Sequence, residues 1–154
     1  MTELHLVRHG KAGRRDQWDG PDDLRPLSNT GQRQAAAIKK MLKDAPIERI
    51  VSSPSLRCRQ TVEPLAEKHG LPVELDDVLA EGTPRDEAVR LVDKFVDSNA
   101  VLCTHGDVLT ELLDHFAAQG VQLRPKVPEK GSVVTLRFDN GTVVDARYLA
   151  LRRG

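Results

Sequence analysis

The chain has 154 residues, a length that suits one domain over residues 1–154, and its 23 basic and 23 acidic side chains give a formal net charge of zero at pH 7. A balanced charge provides no overall attraction to nucleic acid or to an anionic membrane. The 3% aromatic content offers few stacking platforms for single-stranded nucleic acid. We therefore expect neither nucleic acid nor membrane as a partner, and any phosphate-binding surface has to be local.

The first predicted element is a short apolar strand, residues 4–7, that runs directly into Arg8 and His9. Two polar side chains at the end of a buried strand need partners where the strand emerges. The irregular segment 10–27 follows and is rich in Gly, Pro and charge, and loops of this length in a compact domain are usually functional or mobile. It contains Trp18, which either flanks a substrate or anchors the loop.

Two helices and a second strand are predicted next. The first helix covers residues 28–45 with Ser28 or Asn29 as its cap, and the strand covers residues 49–53. The second helix covers residues 53–70.

The second predicted helix carries both structural and chemical signals. Ser53 is expected to cap it, Pro54 suits its first position, and Pro64 predicts a kink or break. Arg57 lies in the first turn, where the helix N-terminus favours anions.

The rest of the chain repeats the alternation of helix and strand and then ends in a hairpin. Asn140 and Gly141 separate two alternating runs, which is a strong hairpin signal. The strand in this part ends in Thr104 and His105. The predicted elements are helices over 84–98 and 107–120, a strand over 100–105, an irregular segment over 119–131 and a hairpin over 132–151.

Strands that alternate with helices predict an α/β three-layer sandwich with a mostly parallel sheet and helices on both faces. The closing hairpin makes the sheet mixed. Ligands of such folds bind beyond the carboxyl ends of the strands. We therefore expect Arg8, His9, Ser53 and His105, which end three different strands, to lie along one rim.

These residue types suit phosphate chemistry. The planar guanidinium groups of Arg8 and Arg57 match phosphate oxygens in pairs, and a histidine such as His9 or His105 can accept and release a phosphoryl group. Arginines close to His9 disfavour its protonation and keep it able to attack. The remaining histidines and most other arginines are expected to be ordinary structural or solvated residues, namely His5, His69, His115, Arg14, Arg15, Arg33, Arg59 and Arg90.

The two cysteines, Cys58 and Cys103, fall in different predicted elements and have no neighbouring ligand at metal-binding spacing. No apolar run reaches the length of a membrane span, and the amino terminus lacks the layout of a signal peptide. We expect a cytoplasmic protein without a disulfide and without a metal.

Four motifs occur in the order expected for one family. The stretches are "LVRHG" (residues 6–10), "DDLRPLSNTGQRQA" (22–35), "SSPSLRCRQT" (52–61) and "THG" (104–106). Together they resemble the signatures of the histidine phosphatase superfamily, the phosphoglycerate mutase-like enzymes. The resemblance implies the phosphoglycerate mutase-like fold and a phosphatase activity that needs no metal and no cofactor.

The resemblance also implies a role for individual residues. His9 matches the histidine that becomes phosphorylated, and Arg8, Arg57 and His105 match the residues that hold the transferring phosphoryl group, with Gly106 beside them. Glu81, in "VLAEGT", matches the position of a general acid.

The branch of the family is less well defined by the motifs. The short chain, "RHGKA" and "RPLSNTG" resemble the SixA-type phosphohistidine phosphatases, whereas "THGD" and Glu81 resemble small-molecule phosphatases. The expected substrate is a phosphohistidine-bearing protein or a small phosphomonoester, which includes a nucleotide. A phosphoglycerate mutase, disfavoured by Lys11 and Ala12, and a non-catalytic phosphate-binding module are the alternatives.

Overall fold

The computed structural model describes residues 1–123 and 127–149. It has six strands and four α-helices, in agreement with the predicted α/β class. In chain order the elements are β1 (Thr2–Arg8), α1 (Asn29–Leu42), β2 (Arg49–Ser52), α2 (Leu56–His69), β3 (Val73–Leu75), α3 (Arg85–Asp93), β4 (Ala100–Thr104), α4 (Gly106–Ala118), β5 (Val133–Asp139) and β6 (Thr142–Leu149).

The strands form one mixed sheet in the order β3-β2-β4-β1-β5-β6. The first four of these are parallel to one another, and β5 and β6 are antiparallel to their neighbours. The predicted three-layer sandwich is thereby confirmed. Because β2, β4 and β1 are adjacent and parallel, their carboxyl ends meet at the same edge of the sheet, as the sequence predicted.

Two apolar cores lie on opposite faces of the sheet, since successive side chains of a strand point to opposite sides. On one face Leu4 and Leu6 of β1 pack with α3 and α4. On the other face Val7 of β1 packs with α1 and α2. No helix in the described part of the chain is long and apolar enough to cross a membrane.

The start of α1 agrees with the sequence, because the Ser28 hydroxyl caps the helix by accepting a hydrogen bond from the Gly31 amide at 3.2 Å. The helix ends at Leu42, three residues before the predicted end. Its buried side chains, which include Ala35 and Ile38, face α2 and the sheet.

The predicted start of α2 was wrong. The helix begins at Leu56 with Ser55 at the N-cap, so that Ser53 and Pro54 precede it. The reason is that the Ser53 amide still donates to the Cys103 carbonyl at 2.9 Å and thus continues the pairing with β4.

A kink or break was predicted at Pro64, and the break was wrong, because α2 runs without interruption from Leu56 to His69. A proline removes one backbone donor, and here the loss falls on the half-buried side of a helix that is anchored on its other side by Val62 and Leu65. Tertiary packing outweighs the local preference.

The short edge strand β3 was not predicted from the sequence. It has only three residues, which are exposed or half-buried, so it lacks both a buried run and a clear alternation. The third and fourth helices were predicted, but α3 ends at Asp93 and α4 at Ala118, both earlier than expected.

The hairpin prediction is confirmed, since β5 and β6 are joined by Asn140 and Gly141 alone. Both residues have positive φ, +51° and +78°, as a two-residue hairpin turn requires. Residues 150 and 151 of the predicted hairpin lie outside the described residues.

The segment 10–27 is more ordered than its composition suggested. It contains two short 3₁₀ turns, Arg15–Gln17 and Asp22–Leu24, and its ends are joined by a bridge between Ala12 and Leu27. Of the second irregular segment, 119–131, residues 124–126 lie outside the described residues.

Candidate active site

The residues singled out in the sequence come together at the carboxyl edge of the sheet. Arg8 is the last residue of β1, Arg57 is the second residue of α2, and Gly106 is the first residue of α4. They border one cavity of about 520 Å³, together with His9 and His105. The expectation that separate strands deliver these side chains to one rim agrees with this arrangement.

The His9 ring is held in one orientation with one nitrogen free. Its Nδ1 lies 2.8 Å from the Gly10 carbonyl oxygen, which can only accept a hydrogen bond, so Nδ1 carries the proton. Nε2 therefore keeps its lone pair. The residue is 8% exposed, and burial lowers the pKa of His9 to about 4, with nearby His105 and Arg57 acting in the same direction.

The His105 ring lies 5.2 Å from that of His9, measured between ring centroids, and has a different set of contacts. Its Nε2 lies 2.9 Å from the Ser53 hydroxyl and 3.3 Å from the Ser55 hydroxyl. Its Nδ1 is buried and has no partner among the described residues. The two serines thus fix the ring and leave Nδ1 as the nitrogen that is free to contact a ligand.

The Arg8 guanidinium is fixed at one end and free at the other. Its Nη1 donates to the Pro128 carbonyl at 2.6 Å, while Nε is buried and has no partner among the described residues. A side chain at Gly106 would come within 2.7 Å of the guanidinium carbon, so only glycine leaves room there.

The Arg57 side chain is 2% exposed and is held by the segment 10–27. Its guanidinium donates to the Asp22 carbonyl at 3.0 Å and pairs with the Asp22 carboxylate at 3.2 Å. Its Nε is buried without a partner in the described part of the chain. Arg57 therefore has a firm anchor and an unused donor.

Glu81, the residue that the resemblance implied as a general acid, also lines this cavity. Its side chain is 56% exposed, and Oε2 is 3.6 Å from an Arg57 terminal nitrogen. The carboxylate therefore lies between solvent and the cavity, where it can contact a leaving group.

Several residues of the site were not found from the sequence. Arg25 and Lys130 line the cavity, and Asp22 holds Arg57. Arg25 and Asp22 occupy the "DDLRPL" stretch, so the motif that carried the resemblance already contained them. Ser53 was expected on this rim because it follows a strand, but its contact with His105 was not predicted.

The residues expected to be structural mostly have that role. His5 is buried in β1 and its Nδ1 lies 2.8 Å from the Thr135 hydroxyl, and the Trp18 indole donates to the Pro21 carbonyl at 2.9 Å. Arg59 is half-buried rather than solvated, and Arg15, although exposed, lines the cavity. Cys58 and Cys103 are buried and free.

No cluster of three or more histidine, cysteine or acidic side chains that could hold a metal occurs within residues 1–123 and 127–149. What the site does contain is a neutral histidine with a free nitrogen, a second fixed histidine and two arginines with unused donors. This arrangement suits the binding of a phosphate group and the attack of Nε2 of His9 on its phosphorus.

Known proteins resemble the chain in sequence and in fold. Residues 4–84 match the family model of the histidine phosphatase superfamily, branch 1. An 8-oxo-(d)GTP phosphatase of Mycolicibacterium smegmatis is 32% identical over 152 residues, which cover 94% of this chain and 47% of that protein. The chain thus spans about half the length of this relative.

Two further matches cover a larger share of the matched protein. The phosphatase PhoE of Bacillus subtilis is 32% identical over 139 residues, which cover 84% of this chain and 68% of that protein. The structure of the protein histidine phosphatase SixA bound to tungstate superimposes with a TM-score of 0.77 at 19% identity, and 97% of each chain is covered.

Proposed function

This chain belongs to the histidine phosphatase superfamily, and we propose that it is a phosphatase that works through a phosphohistidine intermediate on His9. The observation that carries the proposal is the state of the His9 ring. Its Nδ1 proton is directed to the Gly10 carbonyl, and the ring stays neutral because burial lowers its pKa to about 4. Nε2 is then a nucleophile at neutral pH.

The first step forms the bond between Nε2 of His9 and phosphorus and breaks the bond between phosphorus and the leaving group. Arg8 and Arg57 provide guanidinium donors for the phosphoryl oxygens, and Nδ1 of His105 can add another when it carries a proton. An alkoxide leaving group takes a proton from Glu81. Water then attacks phosphorus, the bond between phosphorus and Nε2 of His9 breaks, and a proton of the water returns to Glu81, which leaves inorganic phosphate and free His9.

The substrate that we propose is a small phosphomonoester, which includes a nucleotide, or a phosphohistidine on a protein. The SixA fold match supports a SixA-type phosphohistidine phosphatase, and the 8-oxo-(d)GTP phosphatase supports a nucleotide. No metal takes part in the proposed steps. The two free cysteines, Cys58 and Cys103, are consistent with a cytoplasmic location.

The test uses p-nitrophenyl phosphate, whose leaving group needs no acid. We expect the wild-type protein to hydrolyse it in the presence of EDTA and a short acid quench to trap no stable label, because phosphohistidine is acid-labile, whereas an alkaline quench retains it on His9. His9→Ala should lose turnover by at least about 10³-fold, since it removes the nucleophile. His69→Ala, on the far end of α2, is the matched control and should retain activity.

Two results would contradict the proposal. The first is a phosphoryl label on serine, and the second is turnover in His9→Ala equal to that of the wild type. Binding of phosphate without any turnover would favour the non-catalytic module instead. Transfer of the label from His9 to a phosphoglycerate, in preference to water, would favour the mutase.

A further inference from the structure

The cavity contains a second group of cations beyond the arginines that face the phosphoryl group. We propose that Arg15, Arg25 and Lys130 form a subsite for a second anionic group, a phosphate or a carboxylate, on the same substrate molecule. This inference rests on the proposed function, because it concerns the substrate of the same cavity.

These three side chains line the cavity from the two irregular segments. Arg15 and Arg25 belong to the segment 10–27, and Lys130 belongs to the segment 119–131. The Arg25 guanidinium is fixed, since it donates to the Gly13 carbonyl at 2.6 Å and the whole residue is 9% exposed. A cavity of about 520 Å³ is also in the range that holds a complete small-molecule ligand rather than a phosphoryl group alone.

The carboxylates of this region do not balance these cations. Asp22 is shared by three arginines, at 3.4 Å from Arg15, 3.1 Å from Arg25 and 3.2 Å from Arg57. No carboxylate within residues 1–123 and 127–149 is in salt-bridge distance of Lys130.

Three other acidic residues, Glu81, Asp107 and Glu111, line the cavity, and Glu81 lies 3.6 Å from Arg57. Glu111 pairs with Arg85 at 2.5 Å, and the Asp107 carboxylate accepts a hydrogen bond from the Gly82 amide at 2.7 Å. Within residues 1–123 and 127–149 none of the three forms a salt bridge with Arg15, Arg25 or Lys130, so they do not neutralise the subsite.

The positive charge of Lys130 is repelled by the neighbouring cations. Burial lowers its pKa, and Arg8, Arg25, Lys11 and Arg57 act in the same direction. Like charges gathered around one cavity are unfavourable without a counter-ion, and an anionic ligand relieves the repulsion. A phosphoryl group bound to Arg8 and Arg57 neutralises those two, which leaves Lys130 and the pair formed by Arg15 and Arg25 for a second anion.

The experiment compares substrates with one and with two anionic groups. Glycerol 3-phosphate carries one anionic group. 3-Phosphoglycerate carries a carboxylate at a distance from its phosphate, and a nucleoside diphosphate carries a second phosphate next to the first. We measure kcat/KM for each in the wild type, Lys130→Ala, Arg15→Ala and the control Arg14→Ala. Arg14 is the exposed neighbour of Arg15, pairs with Asp16 and does not line the cavity.

We expect the ratio of kcat/KM for a two-anion substrate to that for glycerol 3-phosphate to fall roughly tenfold in Lys130→Ala, since a charge-assisted contact is lost. Arg14→Ala should leave the ratio at the wild-type value. The two-anion substrate with the larger ratio identifies the second group as a carboxylate or as an adjacent phosphate. An unchanged ratio in both Lys130→Ala and Arg15→Ala would overturn the subsite.

Calorimetric binding of inorganic pyrophosphate and orthophosphate separates this inference from the proposed function. Tighter binding of pyrophosphate by the wild type, lost in Lys130→Ala, supports the subsite even when no substrate is turned over. Equal affinities for the two ions in the wild type, in a protein that does hydrolyse p-nitrophenyl phosphate, overturn the subsite and leave the phosphatase in place.

Discussion

The rings of His9 and His105 are close neighbours, but their contacts give them different chemistry. The backbone oxygen of Gly10 fixes the proton of His9 on Nδ1, whereas the hydroxyls of Ser53 and Ser55 can donate to or accept from Nε2 of His105. His9 is thus restricted to one neutral tautomer. His105 can adopt either tautomer, and a protonated Nδ1 would serve as a donor to phosphate.

Glu81 is the residue whose proposed role as general acid a single substitution can test. An alkoxide is a strongly basic leaving group, so a general acid contributes about 10²–10⁴-fold to its departure, whereas nitrophenolate leaves without help. Glu81→Gln should therefore reduce kcat for an alkyl phosphate by roughly 10²-fold and change that for p-nitrophenyl phosphate much less. Steady-state rates on the two substrates measure the difference.

The control for Glu81 is Glu67→Gln, on an exposed position of α2, which should leave both rates unchanged. Equal losses on both substrates in Glu81→Gln would contradict the acid role. They would point instead to the contact of 3.6 Å between Glu81 and Arg57, and so to a role in positioning that arginine.

The sequence predicted some site residues and missed others for a physical reason. Arg8 ends β1, and His9 and His105 directly follow β1 and β4, so the common edge of a parallel sheet predicts that the three lie together. Arg25 and Lys130 lie on irregular segments, whose course depends on particular contacts such as the pairing of Arg25 with Asp22. Such contacts leave no periodic signal in the sequence.

Among the secondary-structure elements, α1 has a direct connection to the site. Its first turn packs against the backbone just after His9, where the Lys11 carbonyl accepts hydrogen bonds from the Ser28 amide at 2.9 Å and the Ser28 hydroxyl at 3.0 Å. Gly31 makes this approach possible, since a Cβ there would collide with the same carbonyl oxygen. The cap of α1 was predictable from the sequence, but this contact was not.

Gly31→Ala is therefore expected to destabilise the protein. The added methyl group meets backbone that cannot move away easily, so we expect the free energy of unfolding to fall by about 2 kcal/mol. Gly13→Ala is the matched control, because nothing lies within 4 Å of the position of its Cβ, and a change within about 0.5 kcal/mol is expected. Urea unfolding measures both, and equal stabilities of the two variants would contradict the packing argument.

The fold gathers positive charge at one cavity, although the composition of the whole chain is balanced in charge. The formal net charge is zero, yet five cationic side chains line one cavity, namely Arg8, Arg15, Arg25, Arg57 and Lys130. The balance of charges in the sequence implied that any phosphate-binding surface has to be local, but it could not show which residues form that surface. That required the fold, because the five residues come from four separate parts of the chain.

The buried neutral state of His9 also predicts how the stability of the whole protein depends on pH. In the unfolded chain a histidine has a pKa near 6.5, whereas in the folded protein that of His9 is about 4. Above pH 6.5 neither state binds this proton. Between pH 6.5 and pH 4 the unfolded state binds more, so the free energy of unfolding falls as the pH falls, by about 3 kcal/mol from this residue.

The measurement compares the wild type with His9→Gln by urea unfolding from pH 7.5 to pH 4, in buffers free of phosphate, since phosphate binds the site and would stabilise the folded state. The variant lacks the titrating group, so its stability should fall less than that of the wild type over this window. His5, whose pKa is also lowered by burial, is present in both proteins and cancels from the difference. Parallel curves would mean that His9 titrates alike in the folded and unfolded states, and its neutral, nucleophilic state would then have no support from burial.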